Sequence, residues 1–133
     1  MDDMQTFFAR YAMALSAGDV KRIASFYAPQ FMMESPHGRR ALTNGMKFRS
    51  MLKAADKYYR KRGITQIKIA KLLRADLGAA YKIAQVEWRA LRTDGTDGIH
   101  YDVTYVIALH PQPKIVFFIS HNEQDRLRAQ GLA

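Results

Sequence analysis

The chain has 133 residues, 48% of them hydrophobic, with no cysteine and a formal charge of +9 from 21 Lys and Arg against 12 Asp and Glu. That length suits one domain spanning 1–133, able to bury roughly two thirds of its unfolded surface, and the missing cysteine excludes disulfides, thiolate metal sites and a cysteine nucleophile. No run approaches the roughly 20 apolar residues of a membrane helix, and the N-terminus, MDDMQTFF, is acidic rather than signal-like, so a cytoplasmic protein without membrane contact is expected.

Residues 3–17 read as a helix, because Met4, Phe7, Phe8, Tyr11, Ala12 and Leu15 recur on one face. Asp2 and Asp3 suit the positive end of its dipole. Gly18 ends it, and Asp19 caps a second short helix whose apolar side is Val20, Ile23, Ala24, Phe26 and Tyr27. Ala28-Pro29 stops that helix. A short strand covers 31–35, limited by Pro36, and a loop covers 36–42. Thr43 or Asn44 then caps a long helix running to about Lys61, with Phe48, Met51, Leu52, Ala55 and Tyr59 inside and Lys47, Arg49, Lys53, Lys57, Arg60 and Lys61 outside. Gly63 terminates it.

Beyond Gly63 the period changes. Residues 64–75, 79–92, 98–109 and 114–122 alternate or run apolar and are rich in Ile, Val, Tyr and Phe. Their breaks, 76–78, 93–98 and 110–113, carry the Gly and Pro chemistry of antiparallel connections. The tail from Glu123 is polar and reads as a short helix or a frayed end. Helices first and strands last predict an α+β protein, an antiparallel sheet with helices packed on one side.

Strand parity assigns faces. Ala84, Val86, Trp88 and Ala90 belong inside, as do Tyr101, Val103, Tyr105 and Ile107. In the last strand Val116, Phe118 and Ser120 share one face, and Ile115, Phe117 and Ile119 the other. A strand apolar on both faces is covered on both. Helices cover one, so a second copy of the chain is expected over Phe117 and Ile119, as a homodimer; the competing arrangement folds the tail back over that face.

The stretch from Ala9 to Gly38 and the block Tyr101-Asp102-Val103-Thr104-Tyr105-Val106 carry a resemblance. Ala9-Arg10-Tyr11, Gly18-Asp19, Phe26-Tyr27-Ala28, Glu34-Ser35-Pro36-His37-Gly38 and Lys114-Ile115 resemble the nuclear transport factor 2-like superfamily, which includes ketosteroid isomerase and the SnoaL-like polyketide cyclases. The resemblance implies a cone-shaped α+β fold, three N-terminal helices packed on a strongly curved antiparallel sheet around a pocket. In the isomerase a first-strand Asp moves the proton, while a first-helix Tyr and a protonated Asp on the penultimate strand hold the oxyanion. Tyr11 falls on that Tyr, Ser35 on the base and Tyr105 on the protonated Asp. Tyr105 still offers a hydroxyl, but Ser35 is a poor base at neutral pH, so standard ketosteroid isomerisation is not expected.

The expected site therefore comprises Tyr11, Tyr105, Ser35 and His37 as catalytic groups, His37 being the titratable neighbour that Ser35 is not. Phe7, Phe48, Tyr59, Val86, Trp88, Val103, Phe118 and Ser120 form the expected ligand wall. Each has a plainer reading beside it: Tyr11, Trp88 and Phe118 as core, Ser35 as a turn former, His37 as a solvated loop residue. Glu34, Asp102 and His121 are expected to face away from the pocket. No His, Asp or Glu cluster has metal-ligand spacing and no Gly-rich phosphate loop occurs, so neither metal nor cofactor is expected. The expected ligand is a small hydrophobic molecule, drawn in if anionic by the basic stripe on the long helix; any turnover is isomerase, lyase or cyclase chemistry through an enolate-like intermediate. Alternatives are a non-catalytic binding or dimerisation module and, third, a basic nucleic-acid-binding protein, which would need exposed aromatics that the stripe lacks apart from Tyr58.

Overall fold

A computed structural model describes residues 3–132 of the chain. Asp2, expected at the start of the first helix, lies outside them. The order is α1 (Asp3–Ala17), α2 (Val20–Ala24), β1 (Tyr27–Ser35), β2 (Gly38–Thr43), α3 (Met46–Lys61), β3 (Ile64–Leu77), β4 (Tyr81–Arg92), β5 (Asp97–Ala108), β6 (Lys114–Ser120) and α4 (Glu123–Ala129). The strands form one six-stranded sheet ordered β2-β1-β6-β5-β4-β3. This is the expected α+β architecture, a curled sheet with the N-terminal helices in its concave side. The sheet is mixed, because β1 runs parallel to β6 while every other pair is antiparallel.

Helices α1 and α2 are fixed by a buried stripe, a tight turn and a cap. Met4, Phe8, Tyr11 and Ala14 form the buried stripe of α1. Gly18 adopts a φ of 65°, and a Cβ there would stand 2.8 Å from the Asp56 carboxylate, so the turn needs glycine twice over. Asp19 caps α2 by accepting the Arg22 backbone N–H at 3.2 Å. Ser16 ties α1 to the far edge of the sheet: its hydroxyl donates to the Ile67 carbonyl at 3.1 Å and accepts the Ile67 N–H at 2.9 Å.

Four local expectations change. Phe26 and Tyr27 are not helical; α2 stops at Ala24 and β1 begins at Tyr27. Pro29 is accommodated within β1 because the ladder to β2 starts at Gln30 and the ladder to β6 is interrupted between Tyr27 and Met32, so no partner needs its missing N–H. The expected loop 36–42 is largely β2, an exposed edge strand closing a hairpin in which Ser35 pairs with Gly38; Gly, two Arg and one Leu hide its period. Gly45, not Thr43 or Asn44, occupies the N-cap of α3. Asn44 spends its amide on the Ala24 and Tyr27 carbonyls, at 2.8 and 3.1 Å, bracing the α2–β1 corner. Finally, a bulge between Ile107↔Ile115 and Val106↔Phe117 shifts the parity of β6, so Ile115 is fully buried and Val116 leaves the inner face that Phe118 and Ser120 keep.

The core is aromatic. Tyr11 sits at its centre, with ring centroids of Phe26, Trp88, Tyr27, Tyr105 and Phe8 at 5.2, 5.9, 6.0, 6.1 and 6.3 Å. Most of these pairs meet edge to face, which adds about 0.5–1.5 kcal/mol each beyond area burial. Helix α3 differs: only Phe48 on its inner stripe is buried. Met51, Leu52 and Tyr59 are half-buried because they face a space rather than a packed neighbour.

Candidate active site

That space is a cavity of about 280 Å³ between α1, α3 and the inner face of the sheet. From the expected wall, Phe48, Tyr59, Trp88, Val103, Phe118 and Ser120 line it, as do Tyr11 and Tyr105. Val86 is fully buried behind the wall, and Phe7 packs against Phe8 and Phe26 on the other side of α1. Ser35 and His37 lie outside the cavity. The Ser35 hydroxyl accepts the His37 backbone N–H at 3.2 Å and reaches the Gly38 carbonyl at 3.4 Å, which makes it part of the hairpin turn. His37 faces Asp125 at 3.3 Å in a shallow outer cleft. Glu34 pairs with Arg39, Asp102 bonds Asn122, and His121 bonds Thr104 at 2.7 Å on the outer face.

Counting hydrogen bonds gives the chemistry of the wall. Tyr11 and Tyr27 share one bond, oxygen to oxygen, at 2.5 Å. One hydroxyl donates to the other, which leaves one proton of the pair uncommitted. Trp88 Nε1–H donates to the Tyr105 hydroxyl at 3.1 Å, so Tyr105 keeps its own proton. Tyr101 lines the cavity and makes no side-chain hydrogen bond among the described residues. Burial, the largest cause, pushes Tyr11, Tyr27, Tyr101 and Tyr105 well above ordinary phenols, so all four stay protonated. Three O–H donors therefore face an apolar space with no protein acceptor assigned to them.

One residue that the sequence left in a polar tail enters this site. Glu123, the first residue of α4, lines the cavity, and Tyr59 donates its hydroxyl to the Oε2 atom. Glu123 is half-buried as a residue, since it borders open space, but protein atoms surround its carboxyl. That burial pushes the carboxyl up, while the Tyr59 and Ser120 hydroxyls pull in the opposite direction. The signal for it was the four-residue spacing to Leu127, the buried residue of α4, which puts both on one helix face. Tyr27, read as helical, and Tyr101, read only as inward-facing, are tyrosines of the wall that the expected site omitted, as it did Asp56, Arg60 and Thr65. At the mouth, Arg60 Nε holds both oxygens of Asp56 at 3.0 Å, and the Arg60 guanidinium donates to the Ser16 carbonyl at 2.7 Å. Among the described residues no group of three His, Asp or Glu could hold a metal ion, and no helix is long and apolar enough to cross a membrane.

Comparison with known proteins places this geometry in a family. An NTF2-like protein of Shewanella oneidensis superposes with a TM-score of 0.66 at 20% identity, covering 90% of this chain and 97% of that one. An NTF2-like protein with a cystatin-like fold from Novosphingobium aromaticivorans gives 0.68 at 13%, covering 98% and 86%. A putative calcium/calmodulin dependent protein kinase II association domain from Xanthomonas campestris gives 0.66 at 12%, covering 90% and 84%. Identities this low establish the fold alone. No curated protein matches the sequence. The family described as NTF2-like protein (DUF6841) matches residues 2–123, nearly the whole chain, and the protein belongs to it.

Proposed function

We propose that the protein binds a small, mostly hydrophobic molecule in this cavity and holds it by oxygen acceptors. The observation that supports this is the donor surplus: Tyr105, Tyr101 and one of the Tyr11–Tyr27 pair have protons to give and, among the described residues, no protein acceptor to receive them. A ligand carbonyl or enolate oxygen satisfies such donors, whereas a ligand rich in its own donors does not. At about 280 Å³ the cavity is at the small end of ligand pockets, suited to one or two fused rings. The same hydroxyls would stabilise a developing oxyanion, the requirement for isomerase, lyase or cyclase chemistry.

Trp88 is the chain's only tryptophan and lines the cavity, so its fluorescence reports occupancy. The test titrates the protein with 2-tetralone and, separately, with tetralin, the matching hydrocarbon. The ketone should bind about tenfold more tightly, the worth of one good hydrogen bond. Equal affinity for the two would sink the reading.

A second reading, self-association, is favoured by a specific row on the outer face. Ala41, Met32, Phe117, Val106, Ile83 and Ala75 stand in register across the six strands, and all are apolar. Met32 is 47% exposed and Leu73, on the next row, 51%. A contiguous apolar row of this kind suits a second copy of the chain, and the Xanthomonas fold relative is described as an association domain. We propose a homodimer with Phe117 and Ile119 in the contact.

A further inference from the structure

Glu123 is held in place by more than its own side chain. Just before it, the Asn122 side chain accepts the Asp102 backbone N–H at 2.8 Å and donates to the Asp102 carboxylate at 2.9 Å. Behind it, Leu127 is buried, and the Leu132 carbonyl accepts from Tyr58 and from Arg62 Nε. With both flanks of α4 anchored on β5 and α3, Glu123 has a fixed entry into the cavity. Tyr59 occupies one carboxyl oxygen, and the Ser120 hydroxyl beside the carboxyl favours its charged form. The other carboxylate on the wall, Asp56, is neutralised by Arg60 through both oxygens. Among the described residues, Glu123 is thus the one cavity carboxyl without a cationic partner.

We infer that Glu123 is the proton-transfer residue of this cavity, and that its substrates are small cyclic carbonyl compounds with a hydrogen on the carbon next to the carbonyl. The inference rests on the binding reading above and adds a reaction to it. The carboxylate takes the proton from that carbon. The C–H electron pair becomes the carbon–carbon double bond of an enolate, and the carbonyl π pair moves onto oxygen, which the tyrosine O–H groups hold. The resulting carboxylic acid returns the proton to carbon, so atoms and charge balance without any co-reactant.

The surroundings fit both halves of the cycle. Burial makes the carboxylate a stronger base than a solvated one, while Tyr59 and Ser120 keep it ionisable. The tyrosines facing it from α1, β1 and β5 stay neutral. The charged Asp56–Arg60 pair lies on α3 at the mouth, and His37, His121 and Asp125 lie in the outer cleft that also borders Glu123.

The experiment follows exchange of the hydrogens next to the carbonyl of 2-tetralone in D2O by proton NMR, with binding followed at Trp88. Wild-type protein should accelerate exchange over buffer. Glu123→Gln should still bind 2-tetralone within a few-fold and lose about 100-fold or more of the protein-dependent rate, with Glu123→Asp intermediate. The wild-type rate should fall on acidification through a midpoint above the ordinary carboxylate range. Exchange that is not accelerated although 2-tetralone binds overturns the inference and leaves the binding reading intact; no binding of 2-tetralone by the wild type overturns both. Undiminished exchange in a folded Glu123→Gln also overturns it. If that variant does not fold, the wild-type pH profile decides, and a rate independent of pH is the overturning result.

Discussion

The two faces of β4, β5 and β6 are built from the same strands and end in opposite situations. The inner face sets Trp88, Tyr101, Tyr105 and Phe118 around a cavity lined by several hydroxyls. The outer face sets Ile83, Val106 and Phe117 half-buried in one apolar row, with Ile119 on the next row beside Thr104. Concavity and donors suit a small molecule; an apolar row on the outer face suits another protein surface. On the two readings proposed above the faces act separately, and substitutions on one face should leave the other intact.

The largest expected effect is on the inner face. Trp88→Ala removes a fully buried ring and leaves the Tyr105 hydroxyl without its donor, and should cost about 3–5 kcal/mol in chemical denaturation followed by circular dichroism. A loss below about 1 kcal/mol would mean the core collapses around the cavity. On the outer face, Phe117→Asp should convert a sedimenting dimer to monomer while the cavity still binds 2-tetralone. An unchanged mass would remove Phe117 from any contact.

Smaller effects sharpen the inner face. Tyr105→Phe deletes one of the three free donors and should weaken 2-tetralone binding about tenfold, at a stability cost of about 1–2 kcal/mol because the Trp88 N–H loses its acceptor; unchanged affinity would make Tyr105 core only. Glu123→Gln should change the pH dependence of stability. Burial holds the folded carboxyl above its unfolded value, so as pH rises the unfolded chain releases this proton first. Ionised Glu123 therefore costs stability at neutral pH and nothing below the unfolded carboxylate range. The variant should melt above wild type at neutral pH, with the gap closing on acidification; a gap of constant size would contradict this. Ser35→Ala should do least, about 0.5 kcal/mol from the hairpin turn with 2-tetralone binding unchanged.

The sequence made the long elements legible because their periods are strong: the α1 stripe, the inward residues of β4 and β5, and the stripe of α3 all lie where periodicity puts them. Periodicity does not say whether an inward residue meets another side chain or a space, so Phe7 and Val86 read as wall, whereas Phe7 packs half-buried against the core and Val86 is buried within it. Strand β2 was hidden because an exposed edge needs no alternating apolar face. The β6 bulge was hidden because a single extra residue leaves no compositional mark. Glu123 was the costliest omission, since one charge in a polar tail looks solvated until the fold brings Tyr59, distant in sequence, to its carboxyl.

The single hydroxyl of Ser16 has a consequence beyond the packing of α1. β3 is an end strand of the sheet, and Ile67 would otherwise present an unpaired N–H and C=O to any passing chain. Ser16 satisfies both. At the opposite end, β2 is short and carries Arg39 and Arg40. With Ile67 capped on one border and the other border short and charged, strand-to-strand extension into fibres is discouraged at both places. Freeing the Ile67 N–H and C=O makes Ser16→Ala a route to filament-like aggregation.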